Sequence, residues 1–230
     1  MILPNLRIAI IGGTGKEGRG IAFRWGAAGF SVIIGSRRLA KAQERAQYLN
    51  EILGDNRIGY AKNEDAVSIA DIVVLTVPYD CAPDTLQLYG PHFRPNAILV
   101  DATVPLIGDD PMRYVESLEG SGSERLVPHI PPSVHLVAAF KTVSAYALFD
   151  PTTFGKGNSI PPLNCDDFVA SDSEESRLIV IEAMRRIAGL RALDAGPLEN
   201  ARSIERLTVL IIALNRLNGV KTGRYKVIGF

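Results

Sequence analysis

Residues 6–20, Leu6-Arg7-Ile8-Ala9-Ile10-Ile11-Gly12-Gly13-Thr14-Gly15-Lys16-Glu17-Gly18-Arg19-Gly20, decide the fold. A short apolar run from Ile8 to Ile11 ends in Gly13-x-Gly15-x-x-Gly18 and leads into a helical pattern. In that order Gly13 allows a tight turn off a strand. Gly15 has no Cβ to hold a pyrophosphate away from the backbone, and Gly18 lets the following helix lie close to the sheet. The free N–H groups at the start of that helix then face a negative charge. Gly-x-Gly-x-x-Gly alone is a weak signal in a chain with 21 glycines. Strand before and helix after turn it into a dinucleotide-binding signature.

Working outward, Ser31-Val32-Ile33-Ile34-Gly35 reads as the second strand and is followed at once by Ser36-Arg37-Arg38. A site that prefers NAD usually carries Asp or Glu at this strand end, accepting from both ribose hydroxyls. Here the position offers a hydroxyl and two guanidinium groups, with Lys41 one turn further along. A carboxylate would repel a 2′-phosphate, whereas Arg grips one with paired charge-assisted bonds. NADP(H) is therefore the expected cofactor.

Strand and helix patterns alternate through the first hundred residues. The pattern predicts a helix over 39–53 stopped by Gly54, a strand over 57–62, and a short helix over 64–70 capped by Asn63. Further strands are predicted at 71–77, 97–101 and 134–140. Residues 108–132 read as loop with a short helix around 111–118. Beyond Asp150, a strand at 168–170, a helix from Asp172 or Ser173 to Ala188, a strand at 191–194 and a long helix from about Asn200 to Leu217 complete the chain. The expected fold is α/β: a Rossmann-like, doubly wound, mainly parallel sheet, with a small C-terminal α+β part ending in a long helix. Residues 1–150 form the dinucleotide-binding domain. Residues 151–230 form a smaller domain that completes the substrate cleft and, through the apolar face of its last helix, serves a homodimer interface.

Composition narrows the partners. The 230 residues carry 25 Lys+Arg against 25 Asp+Glu, so no overall field favours nucleic acid or an acidic membrane. No apolar stretch approaches ~20 residues and no signal peptide opens the chain, so no membrane association and a cytoplasmic location are expected. Cys81 and Cys165, like His92, His129 and His135, lack metal-ligand spacing, and no metal site is expected. Neither a Tyr-x-x-x-Lys pair nor a Ser-His-Asp arrangement is present, which suits hydride transfer between two stacked rings.

From near residue 7 to about 219 the chain resembles the NADP reductases that depend on the deazaflavin coenzyme F420. The matching stretches are Gly12-Gly13-Thr14-Gly15, Gly35-Ser36-Arg37-Arg38, Lys62-Asn63-Glu64-Asp65-Ala66 and Thr76-Val77-Pro78. They continue with Leu193-Asp194-Ala195-Gly196-Pro197-Leu198, Glu205-x-Leu207-Thr208 and Asn218-Gly219. The resemblance implies hydride transfer between NADP(H) and coenzyme F420. It implies that Thr14, Gly15, Lys16 and Glu17 wrap the pyrophosphate and that Ser36, Arg37 and Lys41 hold the 2′-phosphate. Val77, Pro78, Val104 and Ala145 would line the nicotinamide side, with the deazaflavin near Val143 and Thr208. Lys141 and Arg206 depart from the family pattern, and Arg202, Arg206 and Lys141 are the candidates to meet the substrate's anionic chain. Two other functions remain open on the residues alone. One is a reductase of a small carbonyl, imine or pterin, with Lys141 as proton donor. The other is a non-catalytic NADP(H) sensor.

Overall fold

The computed structural model describes residues 6–107, 110–114, 120–154 and 159–229. The first strand, β1 (Arg7–Ile11), turns through the glycine loop into α1 (Lys16–Ala27). β2 (Ser31–Ser36), α2 (Leu39–Leu53), β3 (Ile58–Lys62), α3 (Asn63–Ile69) and β4 (Ile72–Leu75) follow. Then come α4 (Ala82–Tyr89), β5 (Ile98–Asp101), a small antiparallel pair β6 (Leu106–Ile107) and β7 (Asp110–Tyr114), and α5 (Gly122–Leu126). β8 (His135–Ala138), α6 (Ala145–Leu148), β9 (Cys165–Val169), α7 (Glu174–Arg185), β10 (Leu190–Asp194) and α8 (Ala201–Leu217) finish the chain.

Six strands make one parallel sheet in the order β3-β2-β1-β4-β5-β8. β1 and β4 are adjacent, and the chain leaves them towards opposite edges. Their carboxyl ends are thus the switch point where such sheets open a ligand crevice. β4 and β5 are buried along their whole length, as strands covered on both faces must be.

Residues beyond 150 do not form a separate core. Phe154, Leu163, Val180 and Met184 belong to the same apolar cluster as Ile8, Ile21 and Trp25 of the first βα unit. The Trp25 indole lies edge-on to Phe140 at 4.9 Å and donates to the Ala183 carbonyl at 3.1 Å. β9 and β10 pair in parallel and attach to the main sheet through the Ala138–Ala170 bridge.

The final segment also returns. The Asp166 N–H donates to the Tyr225 carbonyl, the Tyr225 hydroxyl to the Leu207 carbonyl, and the Ser144 hydroxyl to the Lys221 carbonyl. Lys221 and Lys16 both lie over the Tyr146 ring, at 5.2 and 5.1 Å from its centre, so the tail meets the first turn of α1 across one tyrosine.

Two local expectations are corrected. Residues 110–114 are a strand, not part of a helix over 111–118, because Leu106-Ile107 supplies a cross-strand partner and pairing overrides weak helical periodicity. Residues 115–119 lie outside the described residues. Asn63 is not the cap of α3 but its first residue, with Lys62 in the capping position and no side-chain cap bond.

Candidate functional site

The glycine loop is fixed by contacts that tolerate no Cβ. Gly12, not Gly13, takes the left-handed conformation (φ +83°). A Cβ on Gly13 would sit 2.9 Å from the Ile10 carbonyl oxygen. One on Gly18 would meet Thr76 Oγ1 at 2.6 Å and the Gly13 Cα at 2.7 Å. Thr76 anchors the other side of the turn, its N–H and hydroxyl both donating to the Ile11 carbonyl, at 2.9 and 2.8 Å. Gly15 is the N-cap of α1 and no side chain caps the helix. The first-turn amides are therefore left for a ligand, and an anion suits them.

Two cavities open on this turn and share Thr76, Val77 and Pro78. The first, about 530 Å³, runs over Thr14 and Gly15 to Ser36, Arg37 and Lys41, with Arg38 beside them. Arg37, Arg38 and Lys41 are exposed, and no ion pair engages them among the described residues. The Ser36 hydroxyl accepts from the Arg38 N–H at 3.1 Å, which folds the strand end over the cavity. Unpaired cations beside a cradle of helix-start amides fit a dinucleotide bearing an extra phosphate on its ribose.

The second cavity, about 520 Å³, has apolar walls: Val77, Val104, Val143, Ala145, Ile211 and Ile212, with Thr208. Glu17 lines it from the loop side. Glu17 is half-buried as a residue, but its Oε1 is sealed from solvent with no hydrogen-bond partner. Burial, reinforced by the nearby Asp167 carboxylate, pushes its pKa up to about 8. Near neutral pH this carboxyl keeps its proton.

Beneath the second cavity lies a buried charge network. Lys141 is 3% exposed. Its Nζ is 2.8 Å from Asp101 Oδ2 and 3.3 Å from Glu205 Oε1, and also donates to the Thr103 carbonyl. Asp101 further accepts from the Thr103 N–H and hydroxyl and from the Ser123 hydroxyl at 2.6 Å. Glu205 accepts from the Gly122 and Ser123 amides at the start of α5. Burial alone would lower the lysine pKa, but the two carboxylates together outweigh it and hold it above its usual value. The expected proton donor thus has its three N–H bonds committed to three acceptors. The Lys141 carbonyl accepts from Thr208 Oγ1 at 2.8 Å, tying the floor to α8.

Asp167, which sequence reasoning passed over, shapes the adjoining wall. It is fully buried and accepts from the Phe140 N–H, the Thr142 N–H and the Thr142 hydroxyl. Phe140 takes a positive φ of 57°, and those bonds hold the bend there. The available signal was Asp166-Asp167 inside an otherwise apolar stretch, where a strand seldom places carboxylates without a task.

The structure gathers Thr14, Gly15, Glu17, Ser36, Arg37, Lys41, Val77, Pro78, Val104, Val143, Ala145 and Thr208 on the two cavities. Gly13 and Gly18 are packing positions behind the turn. The Lys16 ammonium is bonded to the Tyr146 hydroxyl at 3.0 Å. Arg206 lies elsewhere. Two residues from Thr208 on a helix it points roughly 200° away, is exposed, and lines neither cavity.

Residues 7–105 match the family model described as NADP oxidoreductase coenzyme F420-dependent. The chain is 40% identical to the F420-dependent NADP reductase of Methanothermobacter thermautotrophicus over 96% of its own length and 94% of that protein. It is 36% identical to the enzyme of the same name from Methanocaldococcus jannaschii over 91% and 92% of the two chains. In fold it resembles a crystal structure of an F420-dependent NADP-reductase candidate from Arthrobacter sp. FB24. That likeness has TM-score 0.78 and 21% identity, and covers 98% of this chain and 100% of that one. At that identity over nearly the whole length of both relatives, this chain belongs to the F420-dependent NADP reductase family.

Proposed function

We infer that this chain is an oxidoreductase that transfers a hydride between NADP(H) and the deazaflavin coenzyme F420. The observation that carries the reading is the pair of cavities meeting at Thr76–Pro78, one bordered by the cations Arg37, Arg38 and Lys41, the other walled mainly by apolar side chains. NADP(H), when bound, supplies or accepts the hydride at its nicotinamide ring. The protein's own contribution is placement. The amides at the start of α1, with Thr14 and Gly15, hold the pyrophosphate, and Ser36, Arg37 and Lys41 take the 2′-phosphate. Val77, Pro78, Val104 and Ala145 flank the nicotinamide side and keep water from it. Val143 and Thr208 border the space for the second ring, which residues 151–230 close through α8. Ring-to-ring transfer needs alignment more than acid–base chemistry. Lys141, with its donors occupied, is a positioning residue that fixes the cleft floor.

Leu210, Leu214 and Leu217 are exposed at helical spacing on α8, followed by exposed Val220. Such a stripe is seldom left in water, and a second copy related by two-fold symmetry covers it in a homodimer. Among the described residues no helix is long and apolar enough to cross a membrane.

The decisive assay follows NADPH absorbance with F420, flavins, pterins and small ketones offered in turn. Oxidation with F420 alone is expected. Turnover with a ketone or pterin and none with F420 would overturn the reading.

A further inference from the structure

The amino ends of the strands, across the sheet from the glycine loop, hold a cavity of about 740 Å³ that nothing above employs. Four arginines converge on it from four separate segments. Arg7 opens β1, Arg57 precedes β3, Arg94 lies before β5 and Arg186 follows α7. Among the described residues that line it, Asp71, just ahead of β4, is the one carboxylate. In a chain whose charges balance overall, the fold and not a sequence run brings these cations together.

Most of their donors are unused. Together the four guanidiniums present about twenty N–H donors. Among the described residues three are engaged: Arg57 Nε with Asp55 at 2.6 Å, Arg57 Nη1 with the Gly29 carbonyl at 3.2 Å, and Arg94 Nη1 with Asp71. The Arg7 and Arg186 guanidiniums stand 3.8 and 3.7 Å from the nearest oxygens of Asp71 and Glu182, too far for a hydrogen bond. Asp71 is itself taken up, accepting from the Arg7 N–H at 2.9 Å and from Arg94. Asp55 and Glu182 do not line the cavity. The four arginine side chains are 43–55% exposed, so their open donors are within reach of a solute.

Convergent guanidinium forks favour a compact group with several oxygens and more than one negative charge. A carboxylate fills one fork, whereas a phosphate or pyrophosphate offers oxygens to several at once. Nucleic acid would need an extended cationic track, and this is a single concavity. Arg186 also complements the carboxyl end of α7, but Arg7, Arg57 and Arg94 stand ahead of strands. We propose that this cavity binds a small molecule bearing a phosphate or pyrophosphate group, held by Arg7, Arg57, Arg94 and Arg186, at a site separate from the hydride-transfer cleft.

The test is calorimetric titration of inorganic pyrophosphate, and separately of ribose 5-phosphate, into the chain saturated with NADP+. Salt is held at about 0.15 M, where surface charges more than ~8 Å apart are screened. One saturable site per chain is expected for at least one probe. Arg57→Gln/Arg186→Gln should weaken it about tenfold or more, the scale of a lost charge-assisted bond, and thermal unfolding confirms that this variant is folded. Tighter binding of ribose 5-phosphate assigns the site to a phosphorylated metabolite whose carbon part meets Leu6 and Phe30 on the cavity wall, and tighter binding of pyrophosphate assigns it to the free anion. No saturable heat with either probe would overturn the proposal, and so would heat unaltered in the double variant. Binding that appears only when NADP+ is omitted belongs to the glycine loop and overturns it as well. Should the chain fail to bind NADP+, the double variant still decides the matter, because its arginines lie at the opposite end of the sheet from that loop.

Discussion

Arg37 and Glu17 give the site its two clearest single-residue tests. Arg37 reaches the cationic cavity unpaired, so Arg37→Asp removes one guanidinium and adds a repelling charge. NADPH affinity should fall by at least about tenfold, or about 1.4 kcal/mol, with NADH affinity spared; equal losses in a fluorescence titration would refute the 2′-phosphate assignment. The Glu17 carboxyl stays protonated until pH approaches 8, because burial and then Asp167 disfavour its charge. Ionisation above that pH puts a negative charge into the apolar cavity beside a polyanionic ligand whose reduced ring is neutral, so the NADPH dissociation constant should be flat below about pH 8 and climb above it. Glu17→Gln should flatten the climb, and superimposable profiles for the two proteins would exclude the residue as its source. The role of Arg37 was legible in the sequence because a strand end exposes its side chains to a ligand in a fixed order. The direction of Glu17 was not, since only the folded chain shows that it turns from the phosphate cradle into the apolar cavity. Arg206 was misplaced for a related reason. Glu205 and Thr208 of the same motif are buried towards the cleft floor, and the helix sends Arg206 outward.

At the scale of elements, the Asp101–Lys141–Glu205 network joins the end of β5, the segment after β8, the start of α5 and the second turn of α8. Lys141→Met leaves two carboxylates buried without their cation, a change that typically costs about 3–5 kcal/mol. The variant should unfold at a markedly lower temperature, and the deficit should shrink as pH falls, because protonation of a carboxylate relieves the repulsion. An unchanged melting temperature would show that the network holds nothing together. In variant molecules that remain folded, hydride transfer should persist, and complete loss of rate with NADPH binding retained would return the lysine to chemistry. The regular βα units were readable because their periodicity and breakers agree. α2 begins and ends at Leu39 and Leu53 as expected, stopped by Gly54 at φ +68°. The β6–β7 pair was not, because its strand character comes from a partner and from α8, not from its own composition. The α5 capping box, Ser121 with Glu124, was present as Ser-x-x-Glu within a stretch read as loop. The network itself joins residues up to 104 positions apart, from Asp101 to Glu205, a distance that local patterns do not span.

For the molecule as a whole, the uncovered leucines of α8 predict a dimer whose mass is set by that helix. Sedimentation of the wild-type chain should give twice the monomer mass, and a Leu214→Glu/Leu217→Glu variant should run as a monomer with its melting curve little altered. A wild-type monomer would leave the stripe without its occupant. The returning tail links distant parts in a different way. Lys221 touches the same tyrosine as Lys16, and its carbonyl holds Ser144 at the rim of the apolar cavity. Protease nicking between residues 219 and 224 would therefore slacken the mouth that receives the nucleotide, far in sequence from any glycine of the loop. Preparations trimmed there would show weakened cofactor retention while their central sheet stayed whole, and bound NADP+ would in turn shield the tail from the protease.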